Sequence, residues 1–270
     1  MRKLLKAIKA IISAIKNPWL LNNILSDDLV WKEYLNKKYK TTINLPVIEI
    51  DELIPNFSET IELAFLDGSS LPTDIALLKS LCKKFDSCKY FEIGTWRGES
   101  VMNVAEVCDK CYTLDLPEGN LLQKKIDEKE IALHAFFSKG KENITQLYKN
   151  TLAYDFSDLR EKFDVIFIDG DHHYEYVKND TEKVFKNLIH DKTIVVWHDY
   201  AHSPETIRYE VLAGIVDGLP GDFRNNLYHV SNTLCAIFIR EKIKSKMLQT
   251  PVKPNKKFRI NIESKKFPFK

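Results

Sequence analysis

The sequence predicts an α/β protein: a doubly wound, mostly parallel sheet closed by an antiparallel hairpin, with a helical extension ahead of it. Three observations carry this. Short apolar runs alternate with helix-type segments between residues 90 and 217, the pattern of strands and crossover helices in a parallel sheet. The first run breaks at the turn Gly94-Thr95-Trp96-Arg97-Gly98 and opens into helix-type sequence from Glu99. The last two runs, 227–230 and 234–240, are joined by Ser231-Asn232-Thr233 alone, which is too short for a parallel connection.

The elements follow in order. Residues 2–16 carry Leu4, Leu5, Ile8, Ile11, Ile12 and Ile15 at helical spacing, with Arg2, Lys6, Lys9 and Lys16 opposite, a basic amphipathic helix. Further helix is expected over 19–25 and 29–39. Residues 46–55, between Pro46 and Pro55, read as an extended linker. Residues 61–65 and 73–84 read as helices, the second with Asp74 near its start. Strands are then expected at 90–94, 111–116, 144–148, 163–170 and 193–197. Helices are expected at 99–107, 176–189 and 203–217, the last with Pro204 in its first turn. Residues 121–138 are long polar helix or loop. This gives an extension (1–45), a linker with leading helices (46–84), the sheet domain (85–240) and a basic tail (241–270).

Of 270 residues, 44% are apolar and 29% charged, a globular balance. The net charge of +2 divides into +6 for residues 1–40, +8 for 241–270 and hence −12 between them. The basic ends are suited to an anionic surface or to the acidic body itself. They lack the aromatic-basic stripe that stacks bases, which argues against nucleic acid. Lysines interrupt the first helix, so it is neither a secretory signal nor a span. It is expected to lie on a membrane interface or to pack on protein, a second subunit included. The five cysteines are an odd number without a second metal-type pair. They read as free thiols of a reducing compartment, with Cys108 and Cys111 half-buried.

Open parallel sheets bind ligands at the carboxyl ends of their strands, and four of those ends here are acidic. Glu92 precedes Gly94 by two residues; a carboxylate there repels a diphosphate and attracts an amine. Trp96 stands where a dinucleotide fingerprint needs its second glycine. Asp115 ends the second strand, where an acid accepts both hydroxyls of a ribose. Asp169-Gly170-Asp171-His172-His173-Tyr174 follows the fourth strand and His198-Asp199-Tyr200 the fifth. So dense a set of carboxylates and imidazoles must be solvated, paired or bound. Asp169, His198 and Asp199 form a candidate metal set, and His172 a candidate general base. Asn150, Thr151 and Asp155 follow the third strand, as an adenine-side loop or a plain turn.

Four segments in this order, Phe-Glu-Ile-Gly-Thr-Trp-Arg-Gly-Glu-Ser (91–100), Tyr-Thr-Leu-Asp-Leu (112–116), Phe-Asp-Val-Ile-Phe-Ile-Asp-Gly-Asp-His-His-Tyr (163–174) and Val-Val-Trp-His-Asp-Tyr (195–200), resemble the class I S-adenosylmethionine-dependent methyltransferases. The branch they are similar to has an I-D-G-D-H-x-Y and an H-D-Y motif and resembles bacterial O-methyltransferases acting on sugars and natural products. The resemblance implies a Rossmann-like sheet and S-adenosylmethionine as cofactor. It puts Glu92 and Gly94 at the cofactor's amino-acid part and Asp115 at its ribose, with Thr95 and Gly98 also binding the cofactor and Asp169 shared between cofactor and chemistry. It implies methyl transfer to a hydroxyl of a small-molecule or glycan acceptor, with Asp169, Asp171 and His172 near the proton. Metal-dependent members bind Mg²⁺ through an Asp at the place of Asp169 and an acid-or-amide pair at the place of His198-Asp199. His198 departs from that pattern, so the ion, Mg or Mn, stays open. The expected setting is cytoplasmic, with membrane-surface contact through residues 2–16 and a homo-oligomer as open alternatives. A non-catalytic scaffold on the same fold is the competing function.

Overall fold

The computed structural model describes residues 2–18, 27–40, 44–123 and 126–266. Helices α1 (Arg2–Lys16) and α2 (Asp28–Tyr39) come first; the helix expected over 19–25 lies outside the described residues. Next come β1 (Pro46–Ile48), α3 (Ile50–Leu53), α4 (Pro72–Cys82), β2 (Lys89–Ile93) and α5 (Glu99–Val104). β3 (Lys110–Asp115), the single-turn helices α6 (Glu118–Gln123) and α7 (Glu128–Ile131), and β4 (Ile144–Tyr148) follow. Then come β5 (Val165–Ile168), α8 (Tyr174–Asn187), β6 (Ile194–Trp197), the hairpin β7 (Ala201–Ser203) and β8 (Thr206–Ile207), and α9 (Tyr209–Gly218). β9 (Leu227–Val230), β10 (Ala236–Phe238) and β11 (Ser245–Met247) complete the chain.

Among the described residues, nine strands make one sheet in the order β11-β1-β9-β10-β6-β5-β2-β3-β4. Strands β4, β3, β2, β5 and β6 are mutually parallel. β10 runs antiparallel to both β6 and β9, as the short 231–233 turn requires. Alternation along β5 divides the core: Ile166 and Ile168 face the layer of α2, α8 and α9, and Val165 and Phe167 face that of α4 and α5.

Three expectations are corrected. The stretch 46–55 is not a linker: β1 pairs parallel with β9 and antiparallel with β11. Val47 and Ile48 are buried there, and Pro46 opens the strand, where its missing N–H costs least. Residues 61–65 are not helical, because side chains of α5 take their backbone groups. Glu62 N–H donates to Asn103 Oδ1 at 2.8 Å, and Ala64 N–H to Glu99 Oε1 at 2.5 Å. Residues 203–217 begin with a hairpin turn holding Pro204, and the helix starts only at Tyr209.

The ends are treated differently. α2 is anchored on α9 by Asp217, which accepts from Tyr34 Oη at 2.5 Å and Tyr174 Oη at 2.8 Å, bonds Tyr39, and lies 2.8 Å from Lys38 Nζ. Burial pushes its carboxyl up, but these donors win and hold it at about 2. The basic tail meets the acidic body: Lys256 Nζ lies 2.7 Å from Glu49 and 2.5 Å from Asp51. All five cysteines are free and fully buried, Cys108 and Cys111 included, which corrects their half-buried expectation. Thiols of Cys82, Cys88 and Cys108 lie within 4.8 Å of one another. Burial pushes the Cys82 thiol up, so it packs as a neutral apolar group.

The turn after β2 meets the end of β5. Gly94 has φ +95°, and a Cβ there would sit 1.9 Å from the Asp169 carbonyl oxygen. The glycine is required by protein backbone. At Gly98 (φ +79°) a Cβ would stand 2.7 Å from Ser138 Oγ. Gly94→Ala is therefore expected to lower unfolding stability by roughly 2–4 kcal/mol, from overpacking and positive-φ strain together. Denaturant unfolding of the variant checks this.

Candidate active site

The carboxyl ends of β2, β3, β4 and β5 surround a cavity of about 280 Å³. Its floor is the turn 94–98, which enters the short helix α5. One wall is Asp115, at the end of β3. Asp115 Oδ1 accepts from the Leu116 N–H at 2.8 Å, and Oδ2 lies 2.6 Å from His134 Nδ1. His134 belongs to a segment laid across the turn: Ala135 N–H donates to Trp96 O at 2.6 Å and Phe137 N–H to Arg97 O at 2.8 Å. Trp96, at φ +45°, meets the His134 ring edge-on at 4.9 Å. Asn150 and Thr151 after β4 line the opposite wall, with Asp169 and Asp171 after β5. Asp155 instead caps its own turn, accepting from Ser157 N–H at 2.9 Å.

Glu92 sits behind the turn and not among the lining residues. It is fully buried, and its oxygens accept from Tyr90 Oη at 2.7 Å, Ser100 Oγ at 2.6 Å and Thr113 Oγ1 at 2.9 Å. Strand alternation turns it, with Tyr90, toward the helix layer. Burial raises its carboxyl and the three hydroxyls lower it, with a net value of about 8. The direct cofactor contact expected of Glu92 is thus replaced by a supporting place under the turn. Thr95 is buried too, its Oγ1 2.7 Å from Thr113 Oγ1 and 2.9 Å from Gln146 Nε2.

The ionisable cluster spans the ends of β5 and β6. His198 is buried between two acids: Nε2 is 3.0 Å from Asp74 Oδ2 and Nδ1 is 3.1 Å from Asp169 Oδ1. The second contact lacks hydrogen-bond alignment and is an ion pair. Burial opposes charge on His198, but Asp169, Asp199 and Asp74 outweigh it and raise the imidazole well above its ordinary value. Asp74 is fully buried, bonds Leu71 N–H at 3.0 Å and Leu234 N–H at 2.9 Å, and so ties α4 to the site. His172 Nε2 lies 2.9 Å from Asp199 Oδ2, and Arg208 Nη1 lies 3.9 Å from the same oxygen. Burial raises the Asp199 carboxyl, but His172 and His198 overcome it and hold it low. Asp171 Oδ1 accepts from His173 N–H at 3.1 Å and meets its Nδ1 at 2.5 Å, which holds the loop into α8.

The expected metal set, Asp169, His198 and Asp199, lies together at the ends of β5 and β6, with His172 beside it. Donor atoms of Asp169, His172 and Asp199 lie within 4.8 Å of one another, and His198, whose Nε2 meets Asp74, turns Nδ1 to Asp169 at 3.1 Å and to Asp199 at 3.5 Å. Two carboxylates and an imidazole fit a divalent cation and lean toward Mn²⁺ over Mg²⁺.

Residues 91–200 match the family described as a methyltransferase domain. Over those residues the chain is similar to methyltransferase domains. No curated protein matches the chain. Among solved structures it is similar to an O-methyltransferase from Bacillus cereus in complex with SAH, at 15% identity and a TM-score of 0.43, covering 77% of this chain and 96% of that one. It is also similar to an SAH-bound methyltransferase of Podospora anserina, at 14% identity and a TM-score of 0.45, covering 67% and 83%. The YcgJ protein of Bacillus subtilis is similar at 17% identity and a TM-score of 0.35, covering 49% of this chain. This chain spans about half the length of that last protein, 53% of it.

The candidate site holds residues that sequence reasoning passed over. Asp74 looked like a helix-start acid, and nothing in its neighbours announces His198. His134 sits in a polar run without periodicity. Asp180, on α8, is buried at the cavity, and burial pushes its carboxyl up to about 6; a lone acid on an apolar helix face was its only signal.

Glu92 carries a stability prediction. Its folded value of about 8 lies above the ordinary 4.5, so folding retains a proton that the unfolded chain releases. Its contribution is complete below about pH 4.5 and is lost as pH rises toward 8. Denaturant midpoints of the wild type should therefore fall more between pH 5 and 8 than those of Glu92→Gln.

Proposed function

We propose that this methyltransferase transfers the S-adenosylmethionine methyl group to a hydroxyl oxygen of a small-molecule or glycan acceptor. The observation that carries the proposal is the His172–Asp199 pair at 2.9 Å, beside Asp169 at the rim of the cavity bounded by Gly94 and Asp115. The new O–CH₃ bond forms as the S–CH₃ bond breaks, the sulfonium becomes the neutral thioether of SAH, and the hydroxyl proton leaves to a base. Alignment of the acceptor oxygen with the methyl carbon supplies most of the rate.

His172 is the base. Its Nε2–H donates to Asp199, which leaves Nδ1 as the basic nitrogen, and the carboxylate steadies the imidazolium that forms. Asp169 adds negative charge close by. Burial disfavours the charged ring, but Asp199 and Asp169 outweigh burial and raise it above 6.5. The base-competent neutral form thus accumulates only above that raised value.

A second reading rests on the three donors within 4.8 Å. A divalent cation held by Asp169, His172 and Asp199 would supply Lewis acidity that lowers the pKa of the acceptor hydroxyl. Asp169 and Asp199 then hold and orient, and His172 is no longer free as base.

The test is methyl transfer from labelled cofactor to a panel of phenols, catechols and sugars across pH 6 to 9. The rate is expected to climb through a pKa above 6.5. His172→Gln should lower kcat about 100-fold or more and abolish the climb. A variant with an unchanged profile would contradict the assignment of the base. Chelator treatment leaves the rate intact under the first reading; its loss with chelator and return with Mn²⁺ would establish the second.

A further inference from the structure

The first helix leaves an apolar face uncovered. Leu4, Leu5, Ile8, Ile11, Ile12 and Ile15 are between 47% and 74% exposed, although they share one arc of α1 at helical spacing. They are the branched side chains that buried helix faces of this protein use, such as Leu77, Leu78 and Leu81 on α4. Residues 2–16 contain five Lys or Arg and no acid. Among the described residues, no ion pair engages Lys3, Lys6, Lys9 or Lys16. The basic tail behaves otherwise, because Lys246 and Lys256 are answered by Glu49 and Asp51.

We propose that α1 is an interfacial helix that docks the protein on an anionic lipid surface. At 15 residues it is about 22 Å long, too short to cross a bilayer of about 30 Å, and no helix of the described residues is long and apolar enough to do so. Laid flat, it buries the Leu/Ile arc at the headgroup–acyl boundary and leaves the lysines flanking that arc among phosphates. A second copy of α1 is a poorer occupant. Two such faces pressed together bring lysine rows alongside each other with no acid in the segment to answer them. The lipid surface satisfies both halves of the helix at once. This inference is independent of the methyl-transfer chemistry.

Flotation of the full-length protein with vesicles tests it, using equimolar phosphatidylglycerol and phosphatidylcholine against phosphatidylcholine alone. The protein should float with the first vesicles and not with the second, and high salt should release it. Lys6→Gln and Lys9→Gln should each weaken partition on the order of fivefold, and Ile8→Asp with Ile12→Asp should abolish it. These side chains are exposed, so the melting temperature and S-adenosylmethionine affinity of the variants should match the wild type. Absence of flotation overturns the proposal, as does equal flotation with both vesicles. A dimer by light scattering that the Ile8/Ile12 pair dissociates, with no flotation, overturns it in favour of a second copy.

Discussion

The site depends on one buried imidazole. His198 stands between Asp74 and Asp169 at 3.0 and 3.1 Å, and it joins α4, β5 and β6 at the carboxyl end of the sheet. Two carboxylates this close in a buried setting would repel and lose their hydration; a cation between them offsets both costs. Asp74 repays the arrangement by bonding backbone N–H groups of Leu71 and Leu234. Asp169 is thereby fixed at the rim, and Asp199, next in chain to His198, is turned toward His172. Removing the His198 ring would leave Asp74 buried without its counter-charge, so substitutions there act on folding before they act on chemistry.

The backbone supports the same spot from the other side. The turn after β2 lies so close to the end of its neighbour β5 that only a glycine fits at position 94. Behind it, Glu92 takes three hydroxyl donors and makes the strand end rigid. The flexible-looking turn is thus bounded by buried polar groups that have partners. A preorganised site of this type spends little on ordering when a ligand enters.

Much of this was legible in the sequence. The apolar runs gave the strands because each is short and bounded by turn residues, and the brevity of 231–233 fixed the antiparallel step. Asp115, Asp169 and Asp199 stood out as acids at strand ends. What failed has physical causes. That His198 also meets Asp74 is hidden from spacing, because Asp74 lies far back in the chain. Glu92 lies in a strand buried on both faces, where an acid's polarity points misleadingly to the cavity. The strand β1 is only three residues long, and its partners β9 and β11 lie far down the chain. The irregular path of residues 61–65 is held by Asn103 and Glu99 on α5, and local propensity carries no record of it. The two basic ends looked alike as charge sums; only their surroundings separate a tail paired with Glu49 and Asp51 from a helix whose apolar arc has no cover.

The central claim is that the cavity between Gly94, Asp115 and Asp169 holds S-adenosylmethionine. Isothermal titration of the protein with this cofactor tests it most directly, with NAD⁺ as control and Asp115→Ala as variant. Micromolar binding of S-adenosylmethionine alone, weakened at least tenfold in the variant, is the result the account predicts. Absence of binding, or binding that Asp115→Ala leaves unchanged, would contradict it.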